Sequence, residues 1–234
     1  MSTSKQRVLN HLFSAVGKGY KPETHELPVL EQFIYAICRE GTTRDAANRA
    51  FAGLKQRFFD WNEVRVSLMR EVANALASAV DEPETRAQRI IDFLQQVFEA
   101  TFSFDLEPIV KKGLKQAAKQ IERYKGADDY VVAWIIHQSL GGHAVPLDDD
   151  TIRCLRRLAV IDEGGKTDPE TLRASVEHLV PKAKGQMFLD LISVVAQDFC
   201  FESDPNCPRC PMLSVCPTGQ ERKQTVVASG KKSR

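Results

Sequence analysis

Four cysteines near the C-terminus have the residue type and spacing of a metal site. Cys200, Cys207, Cys210 and Cys216 follow the pattern C-x6-C-x2-C-x5-C. Thiolates suit both zinc and iron–sulfur clusters. Zinc sites usually pair two short cysteine hooks, whereas this segment has one x2 hook with the outer cysteines spread around it. The compact, uneven arrangement favours a 4Fe–4S cluster, with zinc or no metal as the alternatives.

The other two cysteines, Cys38 and Cys154, lie in apolar segments with helical periodicity. A free cysteine in such a place is more often a small buried hydrophobic residue than a reactive thiol. The first residues lack the basic, apolar and small-residue order of a signal peptide, and no apolar run could cross a bilayer. We therefore expect an intracellular, cytoplasmic protein, in which a disulfide framework is the less favoured use of the cysteine cluster.

Composition and net charge do not single out a function. The chain has 234 residues, of which 43% are hydrophobic and 27% charged, and a formal net charge of +1. These values are ordinary for a globular protein. Lys111, Lys115 and Lys119 recur at helical spacing and would share one face of a helix. A solvated face is the common explanation of such a stripe, and a phosphate-facing stripe is the alternative.

Helical periodicity runs through nearly the whole chain and no segment has the pattern of a strand, so we predict an all-α fold. The last residues, 218–234, are polar and basic, and a disordered tail is expected there. The predicted helices cover 5–17, 29–39, 43–57, 64–79, 84–99, 106–123, 129–140, 150–158, 168–178 and 184–198.

Three consecutive aspartates, Asp148, Asp149 and Asp150, precede the helix that starts near Thr151. Aspartate is one of the commonest N-cap residues, and the residues alone favour capping as the role of Asp148. A carboxylate could also stabilise developing positive charge or activate a nucleophile. Both roles stay open on the local sequence.

The cysteine spacing is that of the endonuclease III family of DNA glycosylases, within the helix-hairpin-helix superfamily, and the chain resembles this family over roughly residues 28–217. The segment 86–91 (RAQRII) looks like the helix before the family's hairpin. Residues 124–130 (YKGADDY) fall where the family has its hairpin, LPGVGRK, and residues 147–153 (LDDDTIR) fall where it has VDTHIFR.

This resemblance implies a two-lobed helical protein with a C-terminal 4Fe–4S loop. A helical barrel lobe would cover 29–142 and end in the helix-hairpin-helix. The cluster-containing lobe would combine 1–28 with 143–217. Double-stranded DNA with a damaged or mismatched base would lie across the cleft, with the target base flipped into it. A monomer is expected, nucleoid-associated if the source is bacterial.

The resemblance also assigns roles to two positions. Asp148 falls on the family's catalytic aspartate, which makes it a catalytic carboxylate that can cap its helix as well. Tyr130 falls on the position where lyase-competent members carry lysine, the amine that forms a Schiff base with the sugar. A tyrosine cannot form a Schiff base, so we expect no lyase activity of that kind.

The hairpin residues Lys125, Gly126, Ala127 and Asp128 are the implied DNA-binding residues. Gly126 matches the first hairpin glycine, whereas Asp128 replaces the second and places a carboxylate where DNA phosphate would approach, a repulsive contact. Glu40 falls where the family has a glutamine that fills the space left by the flipped base.

Three functions are consistent with these residues. The first is a monofunctional DNA N-glycosylase that uses Asp148. The second is a non-catalytic 4Fe–4S relative that serves as a DNA-binding or scaffold module. The third is an electron-transfer or redox-sensing protein built on the cluster. The sequence favours the first, because the aspartate position matches, and the altered hairpin favours the second.

Overall fold

The computed structural model describes residues 4–23, 26–162 and 168–230, with side chains as far as residue 223, and these residues form helices joined by short loops without any strand. The predicted all-α fold is confirmed. No helix in the described ranges is long and apolar enough to span a membrane. The α-helices are α1 (Ser4–His11), α2 (Val29–Arg39), α3 (Arg44–Arg57), α4 (Trp61–Val66), α5 (Met69–Leu76), α6 (Pro83–Thr101), α7 (Leu114–Ile121), α8 (Asp129–Gln138), α9 (Asp149–Arg157), α10 (Pro169–Glu177), α11 (Gly185–Asp198) and α12 (Pro217–Gly230).

Two segments that the periodicity predicts as single helices are each divided. The predicted helix 64–79 is split between α4 and α5, because Ser67 and Leu68 are extended and the Glu71 carboxylate accepts the Leu68 amide at 3.1 Å. The predicted helix 106–123 becomes a 3₁₀ helix, Glu107–Lys112, followed by α7. Gly113 separates them with a φ of +79°, a conformation that glycine adopts readily.

The C-terminal segment forms α12, Pro217–Gly230, within the part of the sequence where a disordered tail is expected, and residues 231–234 lie outside the described part. Pro217 occupies the first turn of α12, where proline is well tolerated. The Gly219 amide donates to Cys216 Sγ at 3.4 Å, and the Thr218 hydroxyl donates to the Arg157 carbonyl at 3.1 Å. The start of α12 is therefore held by the cysteine segment and by α9 rather than by apolar side chains.

The chain divides into two compact units, Thr24–Pro146 and Met1–Glu23 with Leu147–Arg234. The first unit contains α2 to α8, and the second contains α1 and α9 to α12. The sequence analysis places the corresponding boundaries at 29–142, and at 1–28 with 143–217. Both divisions join the N-terminal helix to the C-terminal helices and keep the hairpin with the central helices.

An aromatic cluster forms the centre of the first unit. The rings of Phe33 on α2 and Phe93 on α6 stack with centroids 3.7 Å apart, and Tyr124 packs edge-on against both, at 6.3 and 5.5 Å. Buried aromatic pairs of this geometry add to the free energy gained from apolar burial. Because Tyr124 begins the segment between α7 and α8, this cluster fixes the position of that segment on α6.

The second unit joins the two ends of the chain through polar contacts. The Tyr20 hydroxyl donates to Asp190 Oδ2 on α11 at 2.9 Å. His11 Nε2 lies 3.1 Å from the carbonyl of Pro211, which sits between two of the clustered cysteines. Helix α9 packs along α11. The N-terminal segment, α9, α11 and the cysteine segment therefore belong to one folded unit.

Candidate functional site

The hairpin between α7 and α8 depends on a glycine. Gly126 has a φ of +82°, and a Cβ atom built there would lie 2.9 Å from the Arg89 carbonyl oxygen. Both the conformation and the close approach to α6 require a residue without a side chain. The match of Gly126 to the first hairpin glycine therefore has a structural basis in this chain.

Arg89 on α6 holds the hairpin through its guanidinium group. Its Nη2 donates to the Gly126 carbonyl at 2.9 Å and to the Asp128 carboxylate, and its Nη1 donates to Glu40 Oε2 at 2.6 Å. Charge-assisted bonds of this kind are among the stronger hydrogen bonds in proteins. One side chain thus ties the hairpin to α6 and to the end of α2.

Asp128, at the position of the family's second hairpin glycine, has two structural contacts. Its Oδ1 accepts the Val131 amide at 2.8 Å and so caps α8, while its Oδ2 pairs with Arg89. The aspartate therefore replaces a glycine without leaving an unpaired charge. Because Arg89 lies beside it, the net field at the hairpin is less negative than the sequence indicates.

Glu40 belongs to the same network rather than to open solvent. Its carboxylate pairs with Arg89, and its side chain is 26% exposed. Burial raises the pKa of the Glu40 carboxyl, the nearby Asp128 raises it further, and Arg89 opposes both effects. Arg86 Nη2 also donates to the Glu40 carbonyl at 2.7 Å. The side chain that the resemblance assigns to filling the space of a flipped base is thus engaged within its own unit.

The hairpin backbone leaves two of its four amides available to a ligand. The Lys125 amide donates to Gln96 Oε1 at 2.6 Å, and the Ala127 amide donates to the Tyr124 carbonyl at 3.1 Å. The Gly126 and Asp128 amides make no hydrogen bond within the described part of the chain. Of the predicted DNA-binding residues of the hairpin, Gly126 and Asp128 therefore have amides that are available to an anion, whereas the Lys125 and Ala127 amides are occupied.

Asp148 lies at the N-terminal end of α9 and is 8% exposed. Its Oδ1 accepts the Thr151 amide at 2.7 Å, so the predicted N-cap is present. Asp150, the second residue of the helix, accepts from Arg153 Nη1 and, at 2.7 Å, from Gln197 Nε2. The capping bond and the burial hold the Asp148 carboxylate in a defined position at the N-terminus of the helix.

Tyr130 lies in the first turn of α8 and is 5% exposed. Its ring stacks on that of Trp134, with centroids 6.3 Å apart and an interplanar angle of 17°. The phenol therefore packs with the aromatic side chains of its own unit. It supplies no amine at the position where the family's lyases carry one.

The four clustered cysteines line one small pocket, together with Arg157, Leu213 and other mostly apolar residues. A 3₁₀ turn, Cys207–Arg209, carries the middle pair, and Pro205 and Pro208 restrict its backbone. The cysteines come from segments on either side of this turn. The fold thus brings together four residues that the sequence predicts to act as a set.

Two arginines of α9, Arg153 and Arg157, anchor the first cysteine. Both donate to the Cys200 carbonyl, at 3.0 and 3.3 Å, and Arg157 Nη1 also lies 3.5 Å from Cys200 Sγ. Arg157 also donates hydrogen bonds to the carbonyls of the next two loop residues, Phe201 at 2.6 Å and Glu202 at 2.9 Å. Its own carbonyl accepts from the Cys216 thiol at 3.3 Å.

The thiols of the pocket have pKa values that are shifted in opposite directions. A hydrogen bond from Cys154, together with the Arg157 guanidinium, lowers the pKa of the Cys200 thiol to about 6 despite its burial. Burial raises the pKa of the Cys210 and Cys216 thiols. The thiolate is the form that binds metals, and cationic surroundings favour it.

The donor set of the pocket consists of thiols. Within the described ranges, the structure has no group of three or more His, Cys, Asp or Glu side chains arranged to hold a metal ion. The pocket nevertheless collects four thiols without a carboxylate or imidazole. Thiolate ligands of this kind suit both zinc and iron–sulfur chemistry.

The sequence does not predict the roles of three residues that organise these sites, namely Arg89, Arg157 and Gln96. Each binds segments distant in sequence: Arg89 reaches residues 49 and 39 positions away, and Arg157 reaches residues 43 to 45 positions away. The one available signal is an acidic residue, Asp128, in a hairpin that the family builds with glycine. Such a carboxylate requires a cationic partner, and α6 supplies it.

Solved structures of DNA glycosylases share the fold of this chain. A non-covalent endonuclease III–DNA complex superposes with a TM-score of 0.68 at 15% identity, covering 96% of this chain and 100% of that one. A trapped covalent endonuclease III–DNA intermediate gives a TM-score of 0.65 at 15% identity, with coverages of 95% and 100%. A thermostable thymine-DNA glycosylase gives 0.63 at 16% identity, with coverages of 93% and 97%.

The fold is therefore that of endonuclease III and related DNA glycosylases, and the resemblance found in the sequence is confirmed at this level. No family model matches the chain. A protein of Arabidopsis thaliana named "Putative DNA glycosylase At3g47830" is 23% identical over 136 residues, which are 58% of this chain and 46% of that protein. The matched region thus spans less than half of that relative.

The Gly126→Ala substitution is expected to destabilise the hairpin through two effects. A left-handed alanine costs roughly 1–2 kcal/mol, and its Cβ would also press on the Arg89 carbonyl, 2.9 Å away. Gly141→Ala is the matched control, because Gly141 has a φ of +62° but nothing within 4 Å of the added Cβ. Urea unfolding followed by circular dichroism should show the larger loss for Gly126→Ala, and equal losses would contradict the close contact.

Proposed function

We propose that this protein is a base-excision DNA N-glycosylase that uses Asp148 and lacks Schiff-base lyase activity. The observation that carries the proposal is the match of nearly the whole chain to endonuclease III solved in complex with DNA. Fold alone is compatible with several functions. The position of Asp148, buried at a helix N-terminus where the family has its catalytic aspartate, adds the chemical argument.

In the proposed reaction the bond between C1′ of the deoxyribose and the base nitrogen breaks, and its electron pair leaves with the base. Positive charge develops on the sugar, and the Asp148 carboxylate stabilises that charge. A water oxygen then bonds to C1′, and its proton passes to the carboxylate and on to the departing base. The products are the free base and a sugar that carries a hydroxyl group at C1′.

The cap of α9 supports this role. The Thr151 amide holds one carboxylate oxygen at 2.7 Å, which fixes the orientation of the group before substrate arrives. A carboxylate has about four lone-pair sites, so one capping bond leaves capacity for other contacts. Pre-positioned charge is more effective in catalysis than charge that must reorient during the reaction.

The absence of an amine at position 130 supports a glycosylase without lyase chemistry. A lyase of the endonuclease III type needs a primary amine that attacks C1′ and forms a Schiff base. Tyr130 offers a phenol, held against Trp134. In the proposal, water takes the place of this amine.

The hairpin would contact a DNA phosphate through the Gly126 amide. This amide has no partner within the described residues, and backbone amides commonly position proteins on phosphates. Asp128 beside it is paired with Arg89, which limits its repulsion of the phosphate. The hairpin would therefore position the duplex rather than read its sequence.

We further propose that Cys200, Cys207, Cys210 and Cys216 hold a 4Fe–4S cluster. The shared pocket, the all-thiol donor set and the cationic Arg157 beside Cys200 support this assignment. When bound, the cluster would supply a structural cross-link between the segments that carry the four cysteines. Zinc is the alternative occupant.

A non-catalytic DNA-binding relative is the second candidate, and the hairpin is the observation that favours it. A carboxylate, that of Asp128, stands at the second glycine position. Such a hairpin would bring a negative charge close to a phosphate, which the family's Gly-x-Gly does not do. This candidate predicts retained folding and DNA binding without base release.

Asp148→Asn should abolish base release while preserving the fold. Asparagine caps helices as well as aspartate does, but it carries no charge to stabilise the sugar, so a loss of about 100-fold or more is expected. Base release is measured on a panel of damaged and mismatched duplexes. Asp149→Asn is the matched control, because Asp149 is the exposed neighbour in the first turn of the same helix. No release by the unmodified protein across the panel would refute the glycosylase.

Borohydride should trap no covalent adduct between this protein and a substrate duplex. Tyr130 cannot supply the amine from which a reducible Schiff base forms. Endonuclease III, which forms a trapped covalent intermediate with DNA, serves as the positive control on its own substrate. An adduct that migrates with this protein on a denaturing gel would show that another amine performs lyase chemistry.

Cys210→Ala should abolish the incorporation of iron and acid-labile sulfide into the protein. Cys38→Ala is the control, since burial raises the pKa of the Cys38 thiol to about 12 and it lies in α2, outside the cysteine pocket. Metal analysis and visible absorbance after anaerobic purification give the readout. Zinc without sulfide in the unmodified protein would replace the cluster by the alternative.

A further inference from the structure

Three cations of the first unit line a groove beside the hairpin. This groove has a volume of about 540 Å³ and runs between α6, the 3₁₀ helix Glu107–Lys112 and α7. Its cations are Lys112, Lys119 and Arg123, and no carboxylate lines it. The remaining lining consists of glutamines and Tyr124, so every polar side chain in the groove can donate a hydrogen bond.

These cations differ from those that serve structure elsewhere in the chain. Lys55 pairs with Glu31, and Arg89 pairs with Glu40 and Asp128. By contrast, the side chains of Lys119 and Arg123 make neither an ion pair nor a hydrogen bond within the described ranges, and Lys112 donates to a neutral acceptor, Gln120 Oε1, at 2.7 Å. The groove is therefore a concentration of positive charge that the fold itself does not neutralise.

The folded positions also differ from the lysine stripe in the sequence. Lys111, Lys115 and Lys119 share helical spacing, but the break at Gly113 separates Lys111 from α7. Of these three, Lys119 alone lines the groove, where it joins Lys112 and Arg123. Lys111 and Lys115 are exposed elsewhere on the same segment, which provides a natural comparison.

Gln96 connects the groove directly to the hairpin. Its amide nitrogen donates to the Arg123 carbonyl at 3.1 Å, and its carbonyl oxygen accepts the Lys125 amide at 2.6 Å. Tyr124, which also lines the groove, is the first hairpin residue and packs edge-on against Phe93. The groove and the hairpin backbone are therefore one continuous surface, held to α6.

We propose that this groove binds the phosphodiester backbone of duplex DNA, extending the phosphate contact of the hairpin along one strand. Lys119 lies in the last turn of α7, and Arg123 lies two residues beyond the end of that helix. The three cations are exposed and are distributed over the 3₁₀ helix, α7 and the turn that follows. Such a distribution suits a strand with repeated phosphates better than a small anion, which would need converging donors. The inference rests on the proposed function, since it assigns the groove the ligand that a DNA glycosylase binds.

The groove also explains how a hairpin with an acidic residue could bind a DNA phosphate. Asp128 replaces a glycine there, so the hairpin places a negative charge where the family pattern has none. Lys112, Lys119 and Arg123 supply positive charge next to the same segment. Phosphate binding would thus depend on side-chain charge in the groove more than on hairpin amides.

The test compares two double variants of the full-length protein that remove equal charge. Lys119→Gln with Arg123→Gln changes the groove, and Lys111→Gln with Lys115→Gln changes exposed lysines outside it. Binding to a short, undamaged fluorescent duplex is measured by anisotropy over a series of salt concentrations. Thermal unfolding by circular dichroism checks that both variants are folded.

The groove variant should reduce the slope of log affinity against log salt by about 2, since each lost phosphate contact removes about 0.9. Its affinity at low salt should fall by roughly tenfold or more, while the control variant changes the slope and the affinity far less. Equal effects of the two variants, or no effect of the groove variant, would overturn the inference. An unmodified protein that does not bind duplex DNA would overturn it as well.

Two further measurements separate the outcomes. If the groove variant loses binding of inorganic pyrophosphate, measured by calorimetry, but keeps the salt slope on DNA, the occupant is a small anion and the inference is wrong. Base release is followed in parallel on the lesion panel. A groove-dependent slope without base release refutes the proposed glycosylase alone, whereas base release with an unchanged slope refutes the groove alone.

Discussion

The guanidinium group of Arg89 is the contact on which the arrangement of the hairpin depends. With 23% of its side chain exposed, this cation has lost much of its hydration, and the loss is offset only by well-placed partners. Glu40, Gly126 and Asp128 provide them from the end of α2 and from the hairpin. The two carboxylates in turn depend on the arginine, because its loss would leave them close together and partly buried. The conformation of the hairpin is therefore determined by α6 as much as by its own residues.

Local sequence predicted the helices well where the helical backbone is uninterrupted, and less well where a local backbone conformation ends a helix. The predicted helix 29–39 coincides with α2, and the predicted helix 43–57 differs from α3 by one residue, because the apolar period and a capping Thr43 agree there. Gly113 and the Ser67–Leu68 pair interrupt otherwise helical patterns. Hydrophobic period does not register such interruptions, since it follows residue type and not the backbone dihedral angles.

The candidate site was predictable as a set of residues and not as a set of contacts. The cysteine spacing and Asp148 are visible in the sequence because each is defined by residue type and interval. The partners that give them their properties are not visible, because Arg157 reaches the cysteine loop across more than 40 residues and Arg89 reaches Glu40 across 49. The choice between cap and catalytic carboxylate at Asp148 also could not be made locally. In the structure the two roles are compatible, since capping uses one lone pair of a carboxylate that has several.

Helix α9 connects the two chemical features of the second unit, which are Asp148 and the cysteine loop. Asp148 caps its first residue, and Arg157 is its last, so a rigid helix of nine residues, about 13 Å long, separates them. Arg153 and Arg157 bind the Cys200 carbonyl, and Arg157 also binds the two carbonyls that follow it. Any group that fixes the cysteine loop therefore also restricts movement of α9 along its axis. Because the Asp148 carboxylate is bonded to the first turn of that helix, α9 connects it to the cysteine loop.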